Sequence, residues 1–398
     1  MWLQIASAVR SGVAAKGWKA SDLAQTADLP LERIEALIRH DAPVSSLQLD
    51  LIAKALDLDP MALRAGQLEQ PQRPSVFLRH GPGAWQDFQE ADRKHLDAAL
   101  EGARAWCDLL GALRRTECLA ARARYVPAAV RGPEPRDAAR QGYDLAQQVR
   151  AGEGVGDEPL GDLRELLEER LGVCVVVAPL ATRSPAQAVL DADRMAAAAV
   201  LNASDEERHG NPLLDRVHLA HELCHLLFDP TEPGRLHLVV EPVVPSRGKG
   251  SALAREVAQM LGRGSVELAE ARARGFAAEL LLPEGGLRAL LGRPRKETDV
   301  AKAHTLVTKA RLHFSTPWEI AVWHLANRDH IARGLVWQLL YLGPEGRPRQ
   351  STRLPKVNAP SIALARTVRD ALAEELITEG QARRLLGLPP GEPVEARS

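Results

Sequence analysis

Residues 216–230 read RVHLAHELCHLLFDP. His221 and His225 stand four residues apart, with Glu222 directly after the first histidine. Leu219, Leu223, Leu226, Leu227 and Phe228 surround them at helical spacing, so the stretch reads as one helix held against a core. Positions i and i+4 of a helix share a face, one turn apart. Both imidazoles can then reach a single divalent ion at roughly 2 Å. Glu222 is placed to take a proton from an attacking water and return it to a leaving amine. The bland alternative is an apolar helix that carries two histidines and a glutamate on its surface.

A catalytic zinc needs a third protein ligand and keeps one position open. The ligand is expected from a separate element downstream. Glu267, Glu270, Glu279 and Glu284 are candidates, with His237 as an outsider. Spacing alone does not choose among them. His218, three residues before His221, reads as a rim or substrate contact. Arg216 reads as an anchor for the helix start through a carboxylate, and Cys224 as a small core thiol. His304, His313, Lys302 and Arg311 are unranked candidates for a donor to a developing oxyanion.

Outside this stretch the chain divides by composition. It has 398 residues, 45% hydrophobic and 26% charged, with a formal net charge of −1. That is the globular range and room for two or three domains. A near-zero charge gives no global field for nucleic acid. Four cysteines without a C-x-x-C pair read as reduced thiols of a cytoplasmic protein. Arg10 interrupts the apolar start, against a signal peptide, and no apolar run reaches membrane-spanning length.

Residues 1–66 read as short helices with tight corners. Ser21 is a candidate cap, Asp28-Leu29-Pro30 breaks the chain, and Leu31, Ile34, Leu37 and Ile38 face inward. The pair fits a helix-turn-helix. Seven basic and eight acidic residues leave this segment without a basic bias; Lys19, Arg33 and Arg39 are the candidate contacts to duplex DNA. Residues 67–159 read as linker and helical connector, with a helix over about 85–125 and a poorly ordered join near 151–158. From 160 the pattern gives an amphipathic helix, a strand at CVVVAPL, and a hairpin turning near Asp191–Asp193. The histidine helix, a loop-rich stretch over 231–264 and a second long helix over about 265–281 follow. Strand edges at 172–179 or 195–201 are candidates to align an extended peptide. Residues 333–398 read as a helical extension with a frayed tail.

The stretch ending HLAHELCH225, followed by Glu270-Ala-Arg-Ala273 and FAAELLLP over 276–283, resembles the ImmA/IrrE family of metallopeptidases. HFSTPWEIAVWHLANRDHI, further on, is similar to that family's helix pair after the site. Residues 1–66 resemble the XRE-type helix-turn-helix often fused to it. The resemblance covers roughly 1–66 and 160–332. It implies an α+β chain: an N-terminal all-helical helix-turn-helix domain, a zincin-like domain over 160–332 with a small sheet packed on the H-E-x-x-H helix, then C-terminal helices. It places zinc (Mn²⁺ being another divalent candidate) on His221, His225 and Glu270, with Glu222 as general base. It implies an endopeptidase that cleaves a cytoplasmic repressor or antitoxin-like regulator in a stress response, and a homodimer through the helix-turn-helix. The chain departs from the family's pattern at Cys224, at Arg274 near the site, and in a longer path from His225 to Glu270. The rival reading is a DNA-binding transcriptional regulator whose metal domain senses or scaffolds, and a third is a closed structural zinc.

Overall fold

The structure, a computed structural model, describes residues 2–39, 46–56, 58, 63, 75–78, 90–115, 124–126, 129–132, 134–181, 185–191, 196–204, 211–229, 235–239, 263–346, 352–388 and 393–394. The chain forms two compact units, Met1–Ser75 and Val76–Ser398.

The first unit is helical. Helices α1 (Trp2–Ala15), α2 (Ala20–Ala27), α3 (Leu31–Arg39) and α4 (Ser46–Leu56) bury Ile5, Val9, Leu23, Ile34, Leu37 and Ile52 in one core. Ile34 and Leu37 face inward as expected; Ile38 is half-buried, and Leu31 is exposed. Ser21 is not the cap of α2: the N-cap is Lys19, whose backbone N–H donates to the Asp22 carboxylate at 2.8 Å. Asp28 ends α2 in the left-handed region at φ 53°, where a short polar side chain is tolerated.

The second unit is built on a five-stranded sheet of order β1-β5-β3-β4-β2. Its strands are β1 (Ser75–Leu78), β2 (Val173–Ala178), β3 (Ala186–Asp191), β4 (Ala196–Asn202) and β5 (Arg235–Val239). β2 runs parallel to β4, while β3 is antiparallel to both β4 and β5. Successive side chains point to opposite faces. Val175, Ala188, Ala199 and Leu201 join the core that holds the histidine helix; Cys174, Val189, Ala198 and Val200 join a second core on the other face. A strand covered on both sides needs an unbroken apolar run, which is why AAAAVL shows no alternation.

Helix α5 (Glu90–Ala112) covers the second face. It is followed by α6 (Pro135–Gly152), α7 (Leu163–Glu165, running into a π-turn over Leu166–Arg170), α8 (Pro212–Phe228), α9 (Arg263–Leu281) and α10 (Glu284–Leu291). The chain closes with α11 (Val300–Phe314), α12 (Trp318–Asn327), α13 (Val336–Leu342), α14 (Ile362–Ala373) and α15 (Glu379–Leu385). Trp106 of α5 donates to Thr367 of α14 at 3.0 Å, tying the C-terminal helices to the sheet.

Two expectations change. The region 126–160 is more than a connector. It contains the 18-residue helix α6, and the join after it is held by Arg150, which donates to the carbonyls of Gly156, Glu158 and Leu280. Nor do the two candidate strand stretches present a bare edge. β4 is paired on both sides. The outer edge of β2 is partly closed by the Glu168 carboxylate, which accepts from Val175 N at 3.2 Å, and by Asn358 N, which donates to Val177 O at 2.8 Å. Of the stretch 231–264, the described part is β5 and the first two residues of α9; the rest of the expected loop-rich stretch lies outside the described residues.

Candidate metal centre

Helix α8 starts with Asn211 as N-cap, its side chain accepting from Leu213 N at 3.2 Å, and Pro212 in the first turn. Arg216 is 0% exposed. It anchors the helix, though not through a carboxylate: it donates to the carbonyls of Gly161 and Leu160 at 2.6 and 3.0 Å and lies 3.4 Å from Thr352 Oγ1. Leu219, Leu223, Cys224, Leu226, Leu227 and Phe228 are all buried in the main core. The helix therefore cannot rotate without exposing that face, and the orientation of His221 and His225 is set with it.

The third group comes from α9. Glu270 is 1% exposed. Its Oε2 lies 3.1 Å from His221 Nε2, its Oε1 lies 3.5 Å from His225 Nε2, and the two Nε2 atoms are 3.1 Å apart. For four ligands at about 2.0–2.2 Å around zinc, the edges of the tetrahedron are about 3.3–3.6 Å. Three buried donors from two imidazoles and a carboxylate thus stand close to the spacing that a zinc ion requires. Among the described residues, this is the one set of three such donors close enough to share an ion. Glu222, also buried, follows His221 directly.

An outer contact was not anticipated from the sequence. Asp229, the C-cap of α8, lies with Oδ2 3.0 Å from His225 Nδ1. Its other oxygen accepts from Arg272, which is completely buried on α9. A carboxylate on the far ring nitrogen sets which nitrogen carries the proton and leaves the other to bind metal. The i, i+4 spacing from His225 to Asp229 was the signal that could have revealed it. Burial disfavours charge on His225, yet Asp229 and then Glu270 outweigh it and push its pKa up to about 10. Burial likewise favours a neutral Glu270, but His221 and His225 hold its carboxyl well below the usual range.

The remaining candidates fall elsewhere. Glu279 meets His324 at 3.3 Å and also accepts from Arg328; Glu284 accepts from Arg288 at 2.6 Å. His237 pairs along β5 opposite Leu190, and the side chain of Glu267 lies outside the described residues. His218 is half-buried on α8, and Arg274 is exposed on α9. His304 lies 3.0 Å from Gly343 O, and Arg311 donates to the carbonyls of Glu345 and Gly346, so both serve the C-terminal helices. Lys302 and His313 are exposed. In the first unit Lys19 and Arg33 are exposed, and Arg39 lies 3.9 Å from Glu35.

No protein family profile matches the chain, and no curated protein matches it in sequence. No described helix is long and apolar enough to cross a membrane. The buried His–His–Glu set, with a glutamate next to the first histidine, is a zincin-like site, the active-site set of a zinc metalloendopeptidase.

Proposed function

We propose that the chain is an endopeptidase of the ImmA/IrrE type, acting in the cytoplasm on a protein substrate, a repressor or antitoxin-like regulator with a helix-turn-helix of its own. The observation that carries it is the meeting of Glu270 with His221 and His225 next to Glu222. The motif resemblance on α8 and α9 supports the finer family reading, and the separate helical unit at the N-terminus supports the idea that the chain works near DNA.

His221, His225 and Glu270 would hold zinc and leave a fourth position open. Zinc, when bound, supplies Lewis acidity toward a peptide carbonyl and toward water. Glu222 takes the proton of the attacking water and delivers it to the leaving amine. Asp229 and Arg272 hold His225 in one orientation through the cycle, and the apolar face of α8 keeps the site rigid. Lys19, Arg33 and Arg39 would touch duplex DNA from the first unit, while His218 and Arg274 would border the substrate.

The test is co-expression with helix-turn-helix regulators of the same genome, comparing the parent with Glu222→Gln. Retained zinc with lost cleavage in the variant is the expected result. Equal zinc and no cleavage by either protein, together with salt-dependent promoter binding, would favour the regulator reading, in which the metal domain senses or scaffolds.

A further inference from the structure

A cleft of about 310 Å³ opens in the second unit between α6, α10 and the turn after α12, and the zinc donors do not line it. Helix α6 supplies Arg140 and Tyr143, α10 supplies Glu284 and Arg288, and the end of α12 with its turn supplies Asn327, Arg328 and Asp329. The walls are braced by the protein itself. Arg328 donates to the buried Glu279 and lies 4.2 Å over the Tyr143 ring, and Tyr143 also hydrogen-bonds to Asn327. Asp329 O accepts from Lys296 N at 2.8 Å and His330 O from Glu297 N at 3.1 Å, which ties the turn to the segment before α11.

Charges of both signs are left over in this cleft. Arg140 is exposed and, among the described residues, makes no ion pair or hydrogen bond. Arg288 donates through its Nε to Glu284 Oε1 at 2.6 Å, and its side chain is 60% exposed. The other oxygen, Glu284 Oε2, is buried and has no hydrogen-bond partner. It stands 3.7 Å from His330 Nε2 and 3.8 Å from Arg328 Nε, beyond hydrogen-bond reach. Glu284 is 8% exposed, and a buried carboxylate oxygen left in this way calls for a donor. Asp329 lies 3.4 Å from Lys296, in a pair more than half exposed on both sides; such pairs contribute little and yield to a competitor.

These groups select a ligand by charge. A plain anion would meet Glu284 and Asp329, and a plain cation would meet Arg140 and Arg288. A molecule that carries an ammonium beside a carboxylate suits both sets, through charge-assisted hydrogen bonds. Apart from Pro294 and the Tyr143 ring the lining is polar, so an apolar compound gains little there. The volume lies at the lower end of small-molecule sites, about 300–1,000 Å³, which favours a small ligand. We infer that this cleft binds a free α-amino acid, its carboxylate on Arg140 and Arg288 and its ammonium on Glu284 Oε2 and Asp329.

The inference does not rest on the proteolytic reading, and its readout is binding rather than cleavage. The experiment is isothermal titration calorimetry of the full chain, with zinc supplied, against each standard L-amino acid and against inorganic phosphate as a plain anion. At least one amino acid should bind once per chain with a Kd at or below about 1 mM. Its amide, which lacks the carboxylate, and its desamino acid, which lacks the ammonium, should each bind about tenfold or more weakly. Arg140→Gln should weaken binding by about the same factor while keeping the circular dichroism and zinc content of the parent, since Arg140 supports no part of the core. Glu284 also holds Arg288, so Asp329→Asn tests the ammonium side from an exposed position and should likewise weaken binding about tenfold. A chain that binds no amino acid at about 10 mM overturns the inference. So does a chain that binds phosphate and no amino acid, which would leave a plain anion site. An amino acid whose amide or desamino analogue binds equally well, or whose affinity is unchanged in either variant, overturns it too.

Discussion

His225 is asked to serve both a proton and a metal. With Asp229 and Glu270 against it, its pKa is pushed up to about 10, so near neutral pH the metal-free ring keeps a proton that zinc must displace. Metal binding therefore releases a proton. The apparent zinc affinity should weaken roughly tenfold for each unit of pH between 8 and 6, as read by competition with a chelator of known pH dependence. Asp229→Asn removes both the orienting carboxylate and the main support for the imidazolium. It should cost about 10–100-fold in affinity at pH 8 and also flatten the pH slope, because fewer sites are protonated to begin with. A variant with parental affinity and slope would show that Asp229 does nothing for the metal. Glu279 offers a separate test, away from the site. Burial pulls its pKa up, but His324 and Arg328, with Gln147, outweigh that and bring it down to about 2. The folded-state value is depressed, so the stabilisation is present above about 4.5 and lost as pH falls toward 2. Its size is about 3 kcal/mol at about 1.4 kcal/mol per pH unit. Glu279→Gln should lose stability of that order at pH 7, and its stability should fall less steeply between pH 4.5 and 2 in urea unfolding followed by circular dichroism.

At the scale of elements, the pairing of α6 with α9 decides where Glu270 stands. Both helices carry a glycine at the crossing. A Cβ on Gly142 would lie 2.1 Å from Arg272 O and 2.6 Å from Phe276 N; one on Gly275 would lie 2.3 Å from Ala139 O. These are backbone atoms, which cannot swing aside as a side-chain end does, so the helices must separate. Gly142→Ala should destabilise the second unit by about 1–3 kcal/mol. It should also weaken zinc binding, since α9 carries both Glu270 and the Arg272 that holds Asp229; urea midpoints and zinc titration together would show it. A loss of stability with untouched zinc affinity would mean that α9 is positioned by α8 alone. The same crossing explains the limits of reading this chain from its residues. The i, i+4 histidines and the short apolar run of β2 are local, so they were legible. Glu270 was one acid among four until a motif singled it out, because its meeting with α8 depends on helices 40 and more residues apart. Helix α6 was missed for a physical reason: its buried side includes Gln141, Gly142 and Arg150, so the surface that packs closest reads as polar linker. β4 was legible as a strand, but its interior position depends on pairing with β2, which no local pattern encodes.

At the scale of the whole molecule, the two units have separate cores, one around Ile5, Leu23, Ile34 and Ile52 and the others around the sheet. The three zinc donors all lie in the second. A ligand that binds one folded unit stabilises that unit by mass action, by about 2.7 kcal/mol when free zinc is a hundred times its dissociation constant. The first unit gains nothing from it. Calorimetry of the full chain should therefore show two transitions, and removal of zinc with a chelator should lower one by a few degrees while the other stays. Residues 76–398 expressed alone should reproduce the zinc-sensitive transition and bind one ion per chain. The helical segment 1–75 alone should reproduce the insensitive one. If both transitions move together on chelation, the units do not fold independently, and the metal holds the entire chain in place rather than a hydrolytic centre in one part of it. That outcome would also shift weight to the scaffold reading, because a structural ion is felt wherever the chain depends on it, whereas a centre with an open position needs only α8 and α9 to stay paired.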